Sequence, residues 1–278
     1  MDYRCFEVHV EEGVAHVQMN RPDEFNSMIR EFWAELPELV RRLSDAGDVR
    51  AMVLSSTGRH FCSGMDLAVF GSGSIAGVEA EPGRRAANVM LMVRRLQETF
   101  TALERARMPV LAAVQGGCIG GAMDLITACD MRYASADAFF VVQETNIGMA
   151  ADVGTLQRLP KIVPDGVARE LVYTGRRMPA ARAREVGLVN EVFPDHDSLV
   201  EGTLAIAREI AGKSPLTVWG CKEMLVHARD HSVAAGLDHV ALWQMGGLQP
   251  SEMMEAFAAR SEKREARFAD LGPAPQGL

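Results

Sequence analysis

Between residues 115 and 160 the chain reads QGGCIGGAMDLITACDMRYASADAFFVVQETNIGMAADVGTLQRLP. The apolar run just before it, residues 109–114, reads as a buried strand. Gly116, Gly117, Gly120 and Gly121 then turn the chain, and a helix is expected over residues 122–128. Asp124 falls inside that helix, between Met123 and Leu125. Glu144 and Asp152 follow in segments that are otherwise mostly apolar or small. A carboxylate in such surroundings must find a partner or shift its pKa, so any fold of this chain has to accommodate three of them beside a glycine turn. Locally, each acid also has a structural reading. Asp124 fits a buried acid satisfied by backbone N–H groups, Glu144 a capping or turn acid, and Asp152 the N-cap of a helix over 153–159.

The rest of the chain supplies an α/β frame. Residues 6–10 and 14–19 alternate apolar and polar around Glu12-Gly13, the pattern of a β-hairpin. Asn26 or Ser27 is placed to cap the next helix, whose apolar positions run from Ile29 to Leu43 at helical spacing. Pro37 lies inside that pattern and predicts a kink. Residues 51–55 are a short buried strand, and 57–66 (TGRHFCSGMD) a loop. The segment 71–83 (GSGSIAGVEAEPG) has the composition of a mobile loop over a ligand site. Its GSG follows no clear strand and lacks the GK[ST] of a nucleotide-binding loop. A long helix over 84–104 and strands at 109–114, 131–134 and 139–142 come next. Helices at 165–173 and 180–186 and a last strand at 189–193 complete this part. Helices then dominate, at 199–211, 217–227, 233–246 and 251–268. The strand-and-helix part, 1–195, is expected to carry the site, and 196–278 to be a helical region. Strand, strand, helix recurs loosely through the first part. Trp219, Leu242, Trp243, Met245 and Leu248 read as an oligomer face or as ordinary helical core.

Composition narrows the function classes. With 278 residues, 48% of them hydrophobic, a sizeable core is available. The net charge of -8 argues against nucleic acid or an anionic membrane as partner. Cys5, Cys62, Cys118, Cys129 and Cys221 are odd in number and lack CxxC spacing, so they read as reduced thiols. No targeting segment and no apolar run long enough to span a bilayer is read, which makes a cytoplasmic protein the expectation. The seven histidines show no ligand spacing, and His60 reads as structural.

Taken together, FCSGMDL (residues 61–67), GGCIGGAMDL (116–125) and the segment through LQRLP resemble the crotonase, or enoyl-CoA hydratase/isomerase, superfamily. The resemblance runs from RPDEFNSM to GLVNEVF. Asp124, Glu144, Asp152 and the later RDHSVAAGLDHVALWQM bring it nearest to the dienoyl-CoA isomerase branch. It implies a spiral of ββα units with a helical C-terminal region that builds homotrimers or homohexamers. It also implies acyl-CoA thioester substrates, no metal and no further cofactor.

The chemistry implied is the conversion of a 3,5-dienoyl-CoA to a 2,4-dienoyl-CoA, as in β-oxidation of unsaturated fatty acids. By resemblance the N–H groups of Met65 and Gly121 form an oxyanion hole, and Gly64 and Gly120 permit the close approach this needs. Glu144 and Asp152 carry the proton transfer, Asp152 as base at C2 and Glu144 as acid at C6, with Asp124 supporting both. Asp66, Leu67, Ala68 and Gly120 are expected near the substrate. Arg30, Lys263 and Arg264 are candidates for phosphate contacts. Hydratases of the superfamily carry two glutamates where this chain has Asp124 and Glu144, which lowers the expectation of hydration. A 2-enoyl-CoA hydratase and a non-catalytic CoA- or RNA-binding relative remain the alternatives.

Overall fold

The computed structural model describes residues 3–66, 68–69 and 81–275. Strand β1 (Phe6–Glu11) pairs antiparallel with β2 (Val14–Met19) across a turn in which Glu12 and Gly13 both have positive φ. Two such residues match the twist of the flanking strands. Strands β3 (Ala51–Ser56) and β4 (Val110–Val114) bury every residue, as parallel strands covered on both faces do. They form, with β6 (Met131–Ser135) and β9 (Glu191–Phe193), a six-stranded sheet in the order β1-β2-β3-β4-β6-β9, parallel beyond the first pair. Alternation along β3 sends Met52 and Leu54 into the main core, with Phe32 and Leu36 of helix α1 (Arg30–Ala46) and Phe100 and Leu103 of α2 (Pro82–Arg105). Ala51 and Val53 face the other way, toward Leu199, Ala207 and Ala211 of a later helix.

The recurrence of strand, strand, helix is the repeat of a spiral. After β4 the chain enters β5 (Gly117–Ile119) and then α3 (Gly121–Thr127). After β6 it enters β7 (Phe139–Val141), which lies parallel to β5 in a second, three-stranded sheet closed by β8 (Met178–Pro179). Cys62, after β3, bridges Cys118 of β5, so the second strand of each turn stacks on the next. A strand lies within the expected turn at Gly116–Gly121. Gly116 and Gly120, both at positive φ, bend the chain at either end of β5. This is the ββα spiral expected of the crotonase fold.

Neither expected cap of α1 is used. The helix starts at Arg30, after Ile29, without a side-chain cap. Buried Asn26 instead donates from Nδ2 to Thr57 O (2.8 Å) and His60 O (3.1 Å) and accepts from Arg21 N (2.9 Å). Partners remote in sequence won over the local cap. The helix continues through Pro37, whose ring denies Trp33 O its intrahelical donor. Thr99 Oγ1 of α2 donates to that carbonyl at 3.2 Å.

Short helices α4 (Thr155–Arg158), α5 (Asp165–Thr174) and α6 (Ala180–Glu185) lead to β9. Helix α7 (His196–Ala211) covers the second face of the large sheet, and α8 (Pro215–Asp230), α9 (Val233–Gly247) and α10 (Pro250–Glu262) follow. The last helix stops six residues before the expected 268, because Lys263 turns left-handed and Glu255 captures Arg264 and the Arg267 N–H. The chain beyond straps back over the core, with Leu271 N donating to Gly47 O (3.1 Å) and Ala274 N to Asp45 O (2.7 Å). Trp219 and Trp243 meet edge to face, 5.1 Å between ring centres, whereas Leu242, Met245 and Leu248 are exposed. All five cysteines are free thiols, four of them buried. Among the described residues no helix is long and apolar enough to cross a membrane.

Gly47 closes α1 with φ +81, and a Cβ there would overlap the Gly272 carbonyl of the strap. The strained backbone and the displaced strap make Gly47→Ala destabilising by about 2–3 kcal/mol. Urea denaturation followed by circular dichroism measures it, and an unchanged midpoint would show that the strap carries no stability.

Candidate functional site

A cavity of about 1060 Å³ opens where the loop before α2, β5 and the segment after β7 meet. Gly64, Met65, Gly120, Gly121, Glu144 and Asp152 all line it. Two backbone crossings make this possible. Cys62 N donates to Gly117 O (3.1 Å) and Ile119 N to Cys62 O (3.1 Å), which lays the 62–65 segment along β5. Met28 then takes both neighbours of Met65: Met28 N donates to Gly64 O (2.8 Å) and Asp66 N to Met28 O (3.1 Å). The Met65 N–H takes no part in these bonds, and Met65 lines the cavity. A Cβ on Gly64, at φ +90, would lie 2.7 Å from Ile119 O, so only glycine allows this approach. The Met65 nitrogen is 3.9 Å from where a Cβ of Gly121 would stand. Gly121 opens α3, where N–H groups have no intrahelical partner. Among the described residues, neither the Met65 nor the Gly121 N–H has a hydrogen-bond acceptor.

The three acids occupy different surroundings. Asp124 is fully buried on α3, and its Oδ1 accepts from Thr155 N at 2.6 Å while Oδ2 has no partner. It does not line the cavity. Burial pushes its carboxyl up to about 7, helped by the charge of Glu144 and opposed by the Thr155 N–H. Glu144 begins a short 3-10 helix, Glu144–Ile147, and is half-buried. Its Oε1 is 3.3 Å from a Cβ built on Gly120, and Oε2 is buried without a partner. Burial raises its pKa, and the Asp152 charge adds to this. Asp152 is exposed at the cavity rim, and partial desolvation raises its pKa too. The acids therefore titrate as a coupled set.

Asp152 caps no helix: α4 begins at Thr155, with Gly154 before it. The position it was expected to cap is held instead by the buried carboxylate of Asp124. His60 is structural, its Nδ1 accepting from Gly117 N at 2.9 Å. Asp66 lines the cavity, tied to Ser27 Oγ (2.9 Å) and Ala68 N (2.9 Å). Ala68 is exposed and not part of the lining. Leu67 and most of the 71–83 segment lie outside the described residues. Arg30, Lys263 and Arg264 are not in the lining, and Arg264 pairs with Glu255 and Glu262.

Sequence reasoning missed the acyl-sized wall of the cavity. Val89, Met92, Val93 and Leu96 of α2 line it, one face of a helix at 3–4-residue spacing, together with Trp33 of α1. In sequence this stripe looks like any core-facing helix.

Residues 9–271 match the family described as enoyl-CoA hydratase/isomerase. The chain is 44% identical over 255 residues to the mitochondrial Delta(3,5)-Delta(2,4)-dienoyl-CoA isomerase of Rattus norvegicus, covering 91% of this chain and 78% of that one. It is 41% identical over 273 residues to the peroxisomal Delta(3,5)-Delta(2,4)-dienoyl-CoA isomerase of Arabidopsis thaliana, covering 97% of this chain and 98% of that one. Among solved structures, an enoyl-CoA hydratase from Bacillus anthracis superposes with a TM-score of 0.84 at 28% identity, covering 95% of this chain and 99% of that one.

The Asp124 environment makes a test of its own. A carboxyl raised from 3.8 to about 7 holds its proton more tightly in the folded state than in the unfolded chain. Its contribution to stability is complete below pH 3.8 and is lost as pH rises toward 7. Asp124→Asn keeps an acceptor for Thr155 N–H but cannot ionise. Relative to the parent, the variant should gain stability between pH 4 and 7, by at most about 4 kcal/mol at ~1.36 kcal/mol per pH unit. Thermal unfolding across this range measures the difference, and a pH-independent gap would overturn the buried-acid assignment.

Proposed function

The chain belongs to the enoyl-CoA hydratase/isomerase family, and from that premise we propose that it isomerises 3,5-dienoyl-CoA to 2,4-dienoyl-CoA. One observation carries the reading: two N–H groups without acceptors among the described residues and two separate carboxyl groups belong to residues that line the same largely apolar cavity. A thioester oxygen seated against Met65 and Gly121 N–H acidifies the C2 protons, because the developing charge meets preorganised donors. A carboxylate removes a C2 proton. The C2–H electron pair becomes the C2=C3 bond, the C3=C4 pair moves to C4=C5, and the C5=C6 pair takes a proton at C6. The two carbons are four bonds apart, so two carboxyl groups are required, one ionised and one protonated. Raised pKa values in both Glu144 and Asp152 suit such a division.

The packing of Glu144 supports one order of the two acids. A thioester oxygen at Gly121 N–H puts C2 close to Gly120, and the Glu144 carboxylate lies against Gly120. This favours Glu144 as the base at C2 and Asp152 as the acid at C6, the reverse of the order expected from the resemblance. Asp124 supports both from behind, tying α3 to the residues that follow Asp152.

The hydratase alternative needs the acids at 124 and 144 to hold one water in the cavity. Asp124 is fully buried, committed to Thr155 N–H and outside the lining, which weighs against it. We propose no cofactor beyond the CoA of the substrate. We also propose that residues 196–278 form an assembly region, supported by the exposed apolar side chains Val233, Leu237, Leu242, Met245 and Phe257, and that the assembly is a homotrimer or homohexamer. A cytoplasmic location is proposed as well: the five free thiols fit a reducing compartment. The two dienoyl-CoA isomerases compared above carry mitochondrial and peroxisomal names.

Appearance of ultraviolet absorbance from the conjugated 2,4-dienoyl-CoA tests the activity directly, and its absence at micromolar protein would refute the reading. Loss of either proton-transfer group should cost 10²–10⁴-fold in kcat. In deuterium oxide, Asp152→Asn should still exchange the C2 proton without forming product, while Glu144→Gln should not. The opposite pattern would restore Asp152 as the base. The acid limb of kcat/KM is expected above 4.5, the ordinary glutamate value, because burial and the Asp152 charge both raise Glu144.

A further inference from the structure

We infer that Gln97 is a positioning residue for Asp152, coupling the acyl wall of the cavity to the placement of that acid; the inference rests on the isomerase reading above. The segment that carries Asp152 has little to hold it. Gly148 (φ +78) and Gly154 (φ +137) bound it, and residues 149–154 form neither helix nor strand. Among the described residues, the main chain of 150–153 is tied to the rest of the protein by Gln97 Nε2, which donates to Asp152 O at 2.8 Å, and by a longer contact, 3.4 Å, from Arg158 Nη1 to Val153 O. The short bond thus falls on the carbonyl of the very residue whose carboxyl must reach C6.

Gln97 is well placed to relay substrate binding. It follows Leu96, the last of the α2 residues that line the cavity. Two residues further on, Thr99 and Phe100 anchor the helix in the core. The turn bearing Leu96 and Gln97 is therefore the junction between the anchored part of α2 and the part that only covers the cavity. An acyl chain packed on Val89, Met92, Val93 and Leu96 presses on that turn and restricts the amide that holds Asp152. Binding energy from an unreactive part of the substrate is in this way spent on aligning an acid. Because the bond is to the main-chain carbonyl, it fixes where the Asp152 carboxyl stands without altering its charge environment.

The test replaces the donor with an apolar side chain of similar length. Gln97→Met should lower kcat about tenfold on a long-chain 3,5-dienoyl-CoA, with KM changed less than about twofold and the pH profile unmoved. Combined with Asp152→Asn it should cost nothing further, because the residue it positions is already disabled. Gln97→Lys, which restores a donor, should recover most of the rate. A Gln97→Met protein with parental kcat, or a loss that adds in full to that of Asp152→Asn, overturns the inference while leaving the isomerase reading intact. A parent protein without dienoyl-CoA turnover sinks the reading, and this inference with it.

Discussion

Two backbone N–H groups from distant segments can converge on one atom only if the main chains that carry them come into contact. In this protein the contact is the crossing of residues 62–65 over β5, sealed by the Cys62–Gly117 and Ile119–Cys62 hydrogen bonds. It depends on Gly64, where any side chain would collide with Ile119 O, and on Gly120, which turns β5 into α3. Everything else at the site is arranged around that crossing. The large parallel sheet delivers the two segments side by side, because each turn of the spiral ends at the same rim of the small sheet. Asn26 and Met28 then hold the upstream segment by its carbonyls and amides, and among the described residues the Met65 N–H has no acceptor.

An unpaired donor or acid costs stability, and the site holds several. Asp124 Oδ2 and Glu144 Oε2 are buried without partners, and burial raises the pKa of both groups. A protein selected for stability alone would remove such atoms. Under the proposed isomerisation their cost supplies the electrostatic tension that lets one carboxyl start ionised while another holds a proton.

That tension is held within a firmly braced frame. The Glu104 carboxylate of α2 receives Arg158, next to the Asp152 segment, and Arg229 at the end of α8. Lys222 of α8 donates to Leu103 O and Met108 O and pairs with Asp130 at 2.9 Å. These links bind the C-terminal helices to the helix that walls the cavity. The helical region is thus mechanically continuous with the site, although several apolar side chains of α9 and α10 point outward.

Much of this was legible in the chain. Continuous apolar runs marked the buried strands, the 3–4-residue stripes marked α1 and α2, and the glycines near three acids in apolar sequence surroundings marked the site. Those signals are local, since each reports what a short segment does with its own side chains. Tertiary structure decided what depends on partners remote in sequence. It turned Asn26 from an expected cap into a loop brace, because the helix begins only at Arg30 and the Asn26 amide meets Thr57 O and His60 O. It put Asp124 behind the cavity instead of in it, and it left Asp152 free of any helix by beginning α4 at Thr155. It gave Gln97 a carbonyl from a segment far along the chain. Periodicity records which face of an element is apolar, but a single polar side chain has no period, and its partner is known only when the chain has closed around it.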